Sequence, residues 1–307
     1  MESRGMKVDV VIPAYNAARY IGDTLRSVLA QTLPPARVIV VNDGSTDDTA
    51  DLARQLAADH AGVVEVLVVD QPNAGQSVAR NAGIGHGVSP FVAFLDADDL
   101  WHPKKLELQM ALFRSDEDGG LGLVYCGTSA IDANSGPTLP TSAKRPMPAG
   151  MIFDTLLHGN FINGSASAAV VRRECLDTLG MFDPDLRAVE DWDLWLRISE
   201  RYRVDRVEDE LVAIRQHASM QQDGRLMLGN LVKFFMKWFP RVQGNPEVLK
   251  LWGHLIGEYI LRSRDRKEAF DFVSSTLSPG MKAAFYSRTF GSFSAYIWLK
   301  RLRKAIP

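Results

Sequence analysis

Three carboxylates stand within four residues in Asp96-Ala97-Asp98-Asp99, directly after the apolar run FVAFL. Like charges this close repel, and burying them unpaired beside a core strand is costly, so the group calls for a cation. Hard oxygen donors in so small a set suit Mg²⁺ or Mn²⁺. These ions take one or two protein carboxylates and fill the remaining positions with water and substrate phosphate. The same residues also read as a helix N-terminus, with Asp98 or Asp99 capping a helix from Leu100 onward. Both readings stand at this point.

Other residues with chemical potential gather around that group in sequence order. Pro13-Ala14-Tyr15-Asn16 and Asn42-Asp43-Gly44-Ser45 each follow an apolar run and precede a helical pattern. An aspartate there can accept from the ring N–H of a uracil, and Tyr15 can stack on the base. The plainer reading makes Asn16 and Ser45 N-caps and Gly44 a turn residue. Arg80, in the second turn of a helix opened by Gly75, can pair with Asp43 or reach a diphosphate with its planar fork. Further on, Glu190-Asp191 precedes Trp192 and Trp195. A carboxylate buried beside aromatics has a raised pKa and suits a general base, while acids at a helix start also answer the macrodipole. His217 can ligate a metal or touch phosphate, though a lone histidine also fits a structural place.

The elements that must position these residues alternate. VDVVIP, RVIVVN, VEVLVVD and FVAFL read as strands, and segments from Ala17, Thr46 and Gln76 carry the helical period. This βαβα order, with strands apolar nearly throughout, predicts a parallel sheet buried between helices, with ligands at the carboxyl ends of its strands. After Pro103 comes a helical stretch to Phe113, then the strand-like LGLVYC and a loop from Ser135 to Gly150. From about Leu226 the pattern is helical. A boundary near Gln222 divides residues 1–222, with a nucleotide half at about 7–100 and an acceptor half at 101–222, from a helical extension at 223–307.

Composition narrows the function classes. The chain has 307 residues, 35 Lys plus Arg against 37 Asp plus Glu, and a formal net charge of -2. No global electrostatic footprint for nucleic acid is present. Cys126 and Cys175 lie far apart without metal-ligand spacing, which fits a reducing cytoplasm. The run Val8 to Pro13 is too short for a signal peptide core, and no stretch reaches about 18 uninterrupted apolar residues. Beyond Asp271 only positive charge follows, and Phe290 to Lys304 interleaves aromatic with basic residues. That pattern fits either peripheral contact with an anionic membrane surface or a terminal helix with a solvated basic end.

In order, VVIPAYNAARYIGDTLRSVLAQT, VIVVNDGSTDDT, PNAGQSVARNAGI, FLDADDLW, EDWDLWLR and IRQH resemble glycosyltransferase family 2. The resemblance covers roughly residues 7 to 217. It implies a GT-A α/β fold and inverting, non-processive transfer from a nucleotide-sugar, a UDP-sugar by preference and a dTDP- or GDP-sugar as alternatives. The acceptor it implies is a saccharide or lipid-linked saccharide of cell-surface or exopolysaccharide synthesis. By the same resemblance Pro13, Ala14, Tyr15, Asn16, Asp43, Gly44, Ser45 and Arg80 hold the nucleotide. Asp96 and Ala97 face the ribose or sugar, Asp98 and His217 bind Mn²⁺ or Mg²⁺, and Asp191 is the catalytic base. The QxxRW signature of processive synthases is absent after Asp191.

Rival classes fit less well. A sugar nucleotidyltransferase opens with a Gly-rich, Arg/Lys-containing loop, which PAYNAAR is not. A DxDxT phosphatase needs Thr where Leu100 stands, and Gly83-Ile84-Gly85-His86-Gly87 lacks the GxGxxG spacing of a dehydrogenase. A catalytically silent nucleotide-sugar-binding module is the alternative from a different class, set against the retention of Asp96, Asp98 and Asp191.

Overall fold

A computed structural model describes residues 6–60, 62–138, 146–216 and 224–283. His217 and the basic aromatic stretch Phe290 to Lys304 lie outside the described residues. The described chain divides into two compact units, one of residues up to 185 with 190–216, the other of 186–189 with 224–283.

The first unit begins as alternation predicts: β1 (Val8–Ala14), α1 (Ile21–Leu29), β2 (Arg37–Asp43), α2 (Thr49–Asp59), β3 (Glu65–Gln71), α3 (Gln76–His86) and β4 (Phe91–Phe94). It continues with β5 (Leu100–Trp101), α4 (Lys105–Arg114), β6 (Leu121–Ile131), α5 (Phe153–Leu157), β7 (Val170–Arg172), α6 (Arg173–Leu179), α7 (Glu190–Ser199) and β8 (Arg203–Arg215). One sheet runs in the order β3-β2-β1-β4-β7-β6-β8-β5. The strands β3, β2, β1 and β4 are parallel, as is the pair β6 and β8. Sheet direction reverses at β7, antiparallel to both neighbours, and at β5, antiparallel to β8. The sheet is therefore mixed and mostly parallel, flanked by helices.

Val10, Val11 and Ile12 of β1 and Val38 to Val41 of β2 have no exposed surface, so these strands are covered on both faces. Close helix packing requires Gly83 in α3, where a Cβ would sit 2.4 Å from Val11 Cγ1. Gly83 thus serves helix–sheet packing, whereas Gly85 has open space around it. Burial on both faces does not extend to β3, which forms the sheet edge and is only partly covered despite its apolar sequence. Val66 and Val68 still pack against the core, but only partly, because an edge strand has one neighbour and one poorly covered flank.

Parallel register brings Ala14 level with Asn42 and Val11 level with Phe94. The carboxyl ends of β2, β1 and β4 therefore lie side by side, and the turns that follow them share one edge of the sheet, where ligands of open α/β sheets bind. The second unit holds α8 (Gly224–Val242), α9 (Pro246–Arg262) and α10 (Arg266–Thr276), and Phe234 and Phe235 of α8 pack against Trp252 of α9. Asn245 and Asp265 cap α9 and α10 with their side chains. No helix among the described residues is long and apolar enough to cross a membrane.

Candidate active site

The first two turns are laced to each other rather than used as caps. Asn16, at a positive φ of 49°, donates its backbone N–H to Ser45 Oγ (3.1 Å) and accepts from Thr46 N through Oδ1 (2.8 Å). Helices α1 and α2 start later, at Ile21 and Thr49, with no side-chain cap. The N-cap expectation for Asn16 and Ser45 is corrected accordingly: their short polar side chains bridge loops about 30 residues apart in sequence. Tyr15 stands 53% exposed at the end of β1, open to a flat ligand, while Pro13 is half-buried and Ala14 is buried beneath it.

Asp43 is buried and anchors the third turn: Oδ1 accepts from Gln71 Nε2 (2.7 Å) and Ala74 N (2.8 Å), and Oδ2 from Gly75 N (2.8 Å). A carboxylate offers about four acceptor positions, so this arrangement still accommodates one further donor. Gly44, at φ +71°, allows Asn73 to approach, since a Cβ would meet Asn73 N at 2.7 Å. Asp43 does not pair with Arg80.

Arg80 is instead fully buried and joins two carboxylates. Nη2 lies 2.6 Å from Asp96 Oδ1, Nη1 lies 2.7 Å from Glu190 Oε1, and the guanidinium stacks 5.1 Å above the Phe182 ring. Its proton affinity is raised by Asp96 and Glu190 against the opposing effect of burial. Gln76 Nε2 donates to the same Glu190 oxygen (2.6 Å). The expected pairing with Asp43 relied on closeness in the βα order, whereas the real partners come from the turn after β4 and from α7.

The carboxylate turn is divided between structure and chemistry. Asp99 is buried, with Oδ2 accepting from Ser167 Oγ (2.7 Å) and Oδ1 from Arg215 N (3.0 Å). Burial, with Asp96 and Asp98 beside it, pushes its pKa well up. No helix starts at Leu100: the chain enters β5, which corrects the capping reading of Asp98 and Asp99. Ala97 is buried and its carbonyl accepts from Thr24 Oγ1 (2.9 Å). Asp96 and Asp98 are half-buried. With Oδ1 of Asp96 held by Arg80, the oxygen donors that fit a cation are Asp98 and the second oxygen of Asp96. Among the described residues no three His, Cys, Asp or Glu side chains form a metal cage. One or two carboxylates with room for water and phosphate is the donor set that Mg²⁺ and Mn²⁺ accept.

Asp191 opens α7 next to Glu190. It is nearly buried, with Oδ1 accepting from Trp192 N (2.7 Å) and Oδ2 from Asn160 Nδ2 (3.0 Å). Burial first, and then the Glu190 charge, push its pKa up to about 7. The residue before the pair, Val189, holds a φ of +58°, a costly conformation for a β-branched side chain.

Several contributors were not legible as site residues. Arg215, buried, donates from Nε to the Asp98 carbonyl (2.7 Å) and from Nη1 to Asp132 O and Ser135 Oγ. Ser167 donates to Asp99 and accepts from Asp96 N. Arg215 lies in the IRQH motif and could have been singled out there. Gln76 likewise lies in the PNAGQSVARNAGI motif, whereas Ser167 and Asn160 carry no local signal.

A mixed, mostly parallel α/β sheet carries polar turns at the carboxyl ends of β1, β2 and β4, joined by an arginine to a second acidic pair, the place where open α/β sheets bind ligands. Residues 9–180 match the family model described as glycosyl transferase family 2, and the chain belongs to that family. It is 33% identical over 192 residues to an uncharacterized glycosyltransferase of Nostoc sp., covering 62% of this chain and 56% of that one. An uncharacterized glycosyltransferase of Rickettsia prowazekii is 28% identical over 235 residues, 75% of this chain and 70% of its own. The chain spans about half the length of the Nostoc relative and a third of the Rickettsia conorii one.

Among solved structures, Staphylococcus aureus TarS 1–349 in complex with UDP-GlcNAc aligns with a TM-score of 0.57 at 18% identity, covering 92% of this chain and 91% of that one. A mannosyltransferase of Pyrobaculum calidifontis in complex with GDP-Man and Mn²⁺ aligns with a TM-score of 0.55 at 19% identity, covering 97% and 80%. These likenesses establish the fold.

Proposed function

We propose that this chain transfers a single sugar, with inversion, from a nucleotide-sugar to a hydroxyl of a saccharide or lipid-linked saccharide. Asp191 is the base that takes the proton from the attacking hydroxyl. The observation that carries the reading is the buried bridge Asp96–Arg80–Glu190, which ties the carboxylate turn to the residue preceding Asp191 through contacts of 2.6 and 2.7 Å. One rigid link thus serves both the donor-side acids and the base. A base with a pKa near 7 is half ionised at neutral pH, where general bases work best, and typically contributes about 10² to 10⁴ in rate.

Tyr15 stacks on the base of the nucleotide, Asp43 accepts from it, and Gly44, Ser45 and Asn16 shape the wall around the nucleoside. Asp96 faces the ribose or sugar. Asp98, with His217 from outside the described residues, holds Mg²⁺ or Mn²⁺, which when bound supplies positive charge for the departing diphosphate. Arg80 has no exposed surface, so its part in donor binding runs through Asp96. UDP is the preferred nucleotide, with dTDP and GDP the alternatives; the UDP-GlcNAc and GDP-Man held by the two structural neighbours support the nucleotide-sugar class.

The test is calorimetric titration of UDP, dTDP, GDP and ADP, each with and without Mn²⁺. Metal-dependent binding of one nucleoside diphosphate is expected in the wild type and in Asp191→Asn, and is lost in Asp98→Ala. Asp191→Asn releases UDP from UDP-sugars at least about 10²-fold more slowly. Binding of no nucleotide under any condition would favour a silent module, and wild-type turnover by Asp191→Asn would remove that residue from the base role.

A further inference from the structure

Resting on the reading of Asp191 as the base, we propose that Asn160 is its positioning residue: the Asn160 amide fixes the plane of the Asp191 carboxylate and stabilises its ionised form. Asn160 lies in the turn between α5 and the short 3₁₀ segment Ser165–Ala168. It is gripped at both ends of its amide. Nδ2 donates to Asp191 Oδ2 at 3.0 Å, and Oδ1 accepts from Ile162 N at 3.2 Å. The second contact fixes which way the amide faces, because with the oxygen engaged by a backbone N–H, only the NH₂ end can meet the carboxylate.

The two oxygens of Asp191 are therefore served from different elements. Oδ1 is held within α7 by Trp192 N, and Oδ2 is held across space by Asn160. One hydrogen bond leaves a carboxylate free to swing about its Cβ–Cγ bond, whereas two on separate oxygens define the plane. The α5 side is itself pinned to the same helix, because Trp192 Nε1 donates to Leu156 O at 2.7 Å. The amide and its target consequently move together.

The charges acting on Asp191 oppose one another. Glu190 raises its proton affinity, while Arg80 and the Asn160 amide lower it. Other charged groups on the elements packed against α7 are exposed or engaged. Asp154, His158, Glu174 and Asp177 are exposed, Asp193 pairs with Arg197, and Arg203 pairs with Asp116. Arg206 pairs with Glu208, and Asp205 accepts from Arg206 N. The Asn160 amide is thus a neutral donor to the base, and its removal withdraws stabilisation from the charged form alone.

The experiment follows the carboxyl directly. Protein labelled with ¹³C at the aspartate side-chain carboxyl is titrated by NMR, with the Asp191 resonance assigned by its loss in Asp191→Asn. The wild-type midpoint is expected near pH 7. In Asn160→Ala it moves up by about 0.5 to 1 on the pH scale, and Asn160→Asp raises it further by placing a second carboxylate against the first. UDP affinity stays at the wild-type value, and the acid limb of UDP release from UDP-GlcNAc moves with the midpoint.

Asn160→Ser, with its shorter donor, is the second variant should the alanine form fold poorly, and the same upward movement is expected of it. A midpoint unmoved in these variants overturns the proposal whatever becomes of the base. Wild-type UDP release by Asp191→Asn overturns the base reading, and with it the catalytic meaning of Asn160, while leaving the change of midpoint in place. The two failures are therefore told apart.

Discussion

Arg80 and Lys105 are both cations without exposed surface in the same unit, yet their surroundings differ in kind. Arg80 sits between Asp96 and Glu190. Lys105 has no carboxylate partner among the described residues: Nζ donates to Gln109 Oε1 at 2.8 Å and lies 4.0 Å from the centre of the Trp101 ring. Their proton affinities diverge accordingly. Two carboxylates strengthen the charge on Arg80, whereas burial pushes Lys105 down from 10.5 to about 8. A buried charge is retained where two carboxylates surround it, and loses its hold on the proton where only an amide and a ring receive it.

The largest effect expected from this contrast follows removal of the better-paired cation. Arg80→Met leaves Asp96 and Glu190 facing each other without a counter-charge, and breaking a buried pair from one side costs roughly 3 to 5 kcal/mol. Urea unfolding at pH 7 measures the loss. Arg80→Lys recovers only part of it, because one ammonium cannot fork to two carboxylates from different elements. Wild-type stability in Arg80→Met would show that the bridge is ornamental and that the two cations are alike.

The next effect has the opposite character, since it depends on pH. The folded chain releases the Lys105 proton near 8 and the unfolded chain near 10.5. Between those values the unfolded state binds more protons, so the lysine's contribution to stability rises with pH and is complete above 10.5. Lys105→Met removes this dependence. The wild type should gain on the variant by about 3 kcal/mol between pH 7.5 and 10.5, since a tenfold difference in proton affinity between the two states is worth about 1.36 kcal/mol. A constant difference across that range would mean that Lys105 keeps its proton in the fold and that the contrast with Arg80 is false.

The same two residues mark how far sequence carries. Strands β1, β2 and β4 were legible from apolar runs, and α3 and α7 from period. Asp96, Asp98 and Asp191 stood out because clustered carboxylates are chemically conspicuous. Partners were another matter. Arg80 and Glu190 are 110 residues apart, and the nearer Asp43 is engaged by its own loop. Asp99 reads as a cap because aspartates commonly cap a following helix, but its partners, Ser167 and Arg215, lie 68 and 116 residues away. Asn16 and Ser45 had cap chemistry, and the loops used the same oxygens and N–H groups on each other. Residue type disclosed what each group can do, and only the fold decided with whom. Lys105 gave no signal at all, because lysine in a helical period reads as surface.

The smallest effect tests whether the aromatic ring is part of the difference. Trp101 presents its face to Lys105 and donates from Nε1 to Ser167 O (3.0 Å), the residue that also holds Asp99 and Asp96 N. Trp101→Phe keeps a ring but weakens its pull on a cation, since indole attracts cations more strongly than phenyl. The protonated form of Lys105 loses about 1 kcal/mol, so its pKa in the fold drops below 8. Near pH 7 the variant is less stable than the wild type by that amount plus the lost N–H···O bond. Above pH 10.5 the lysine is neutral in both states, and only the hydrogen-bond loss remains. The gap should therefore narrow as pH rises, the reverse of the widening expected against Lys105→Met. Unfolding of the three proteins at about pH 7 and about pH 11 reads both slopes at once. A gap for Trp101→Phe that does not change with pH would assign the ring to packing alone and leave the Gln109 amide, not the ring, steadying the lysine's charge.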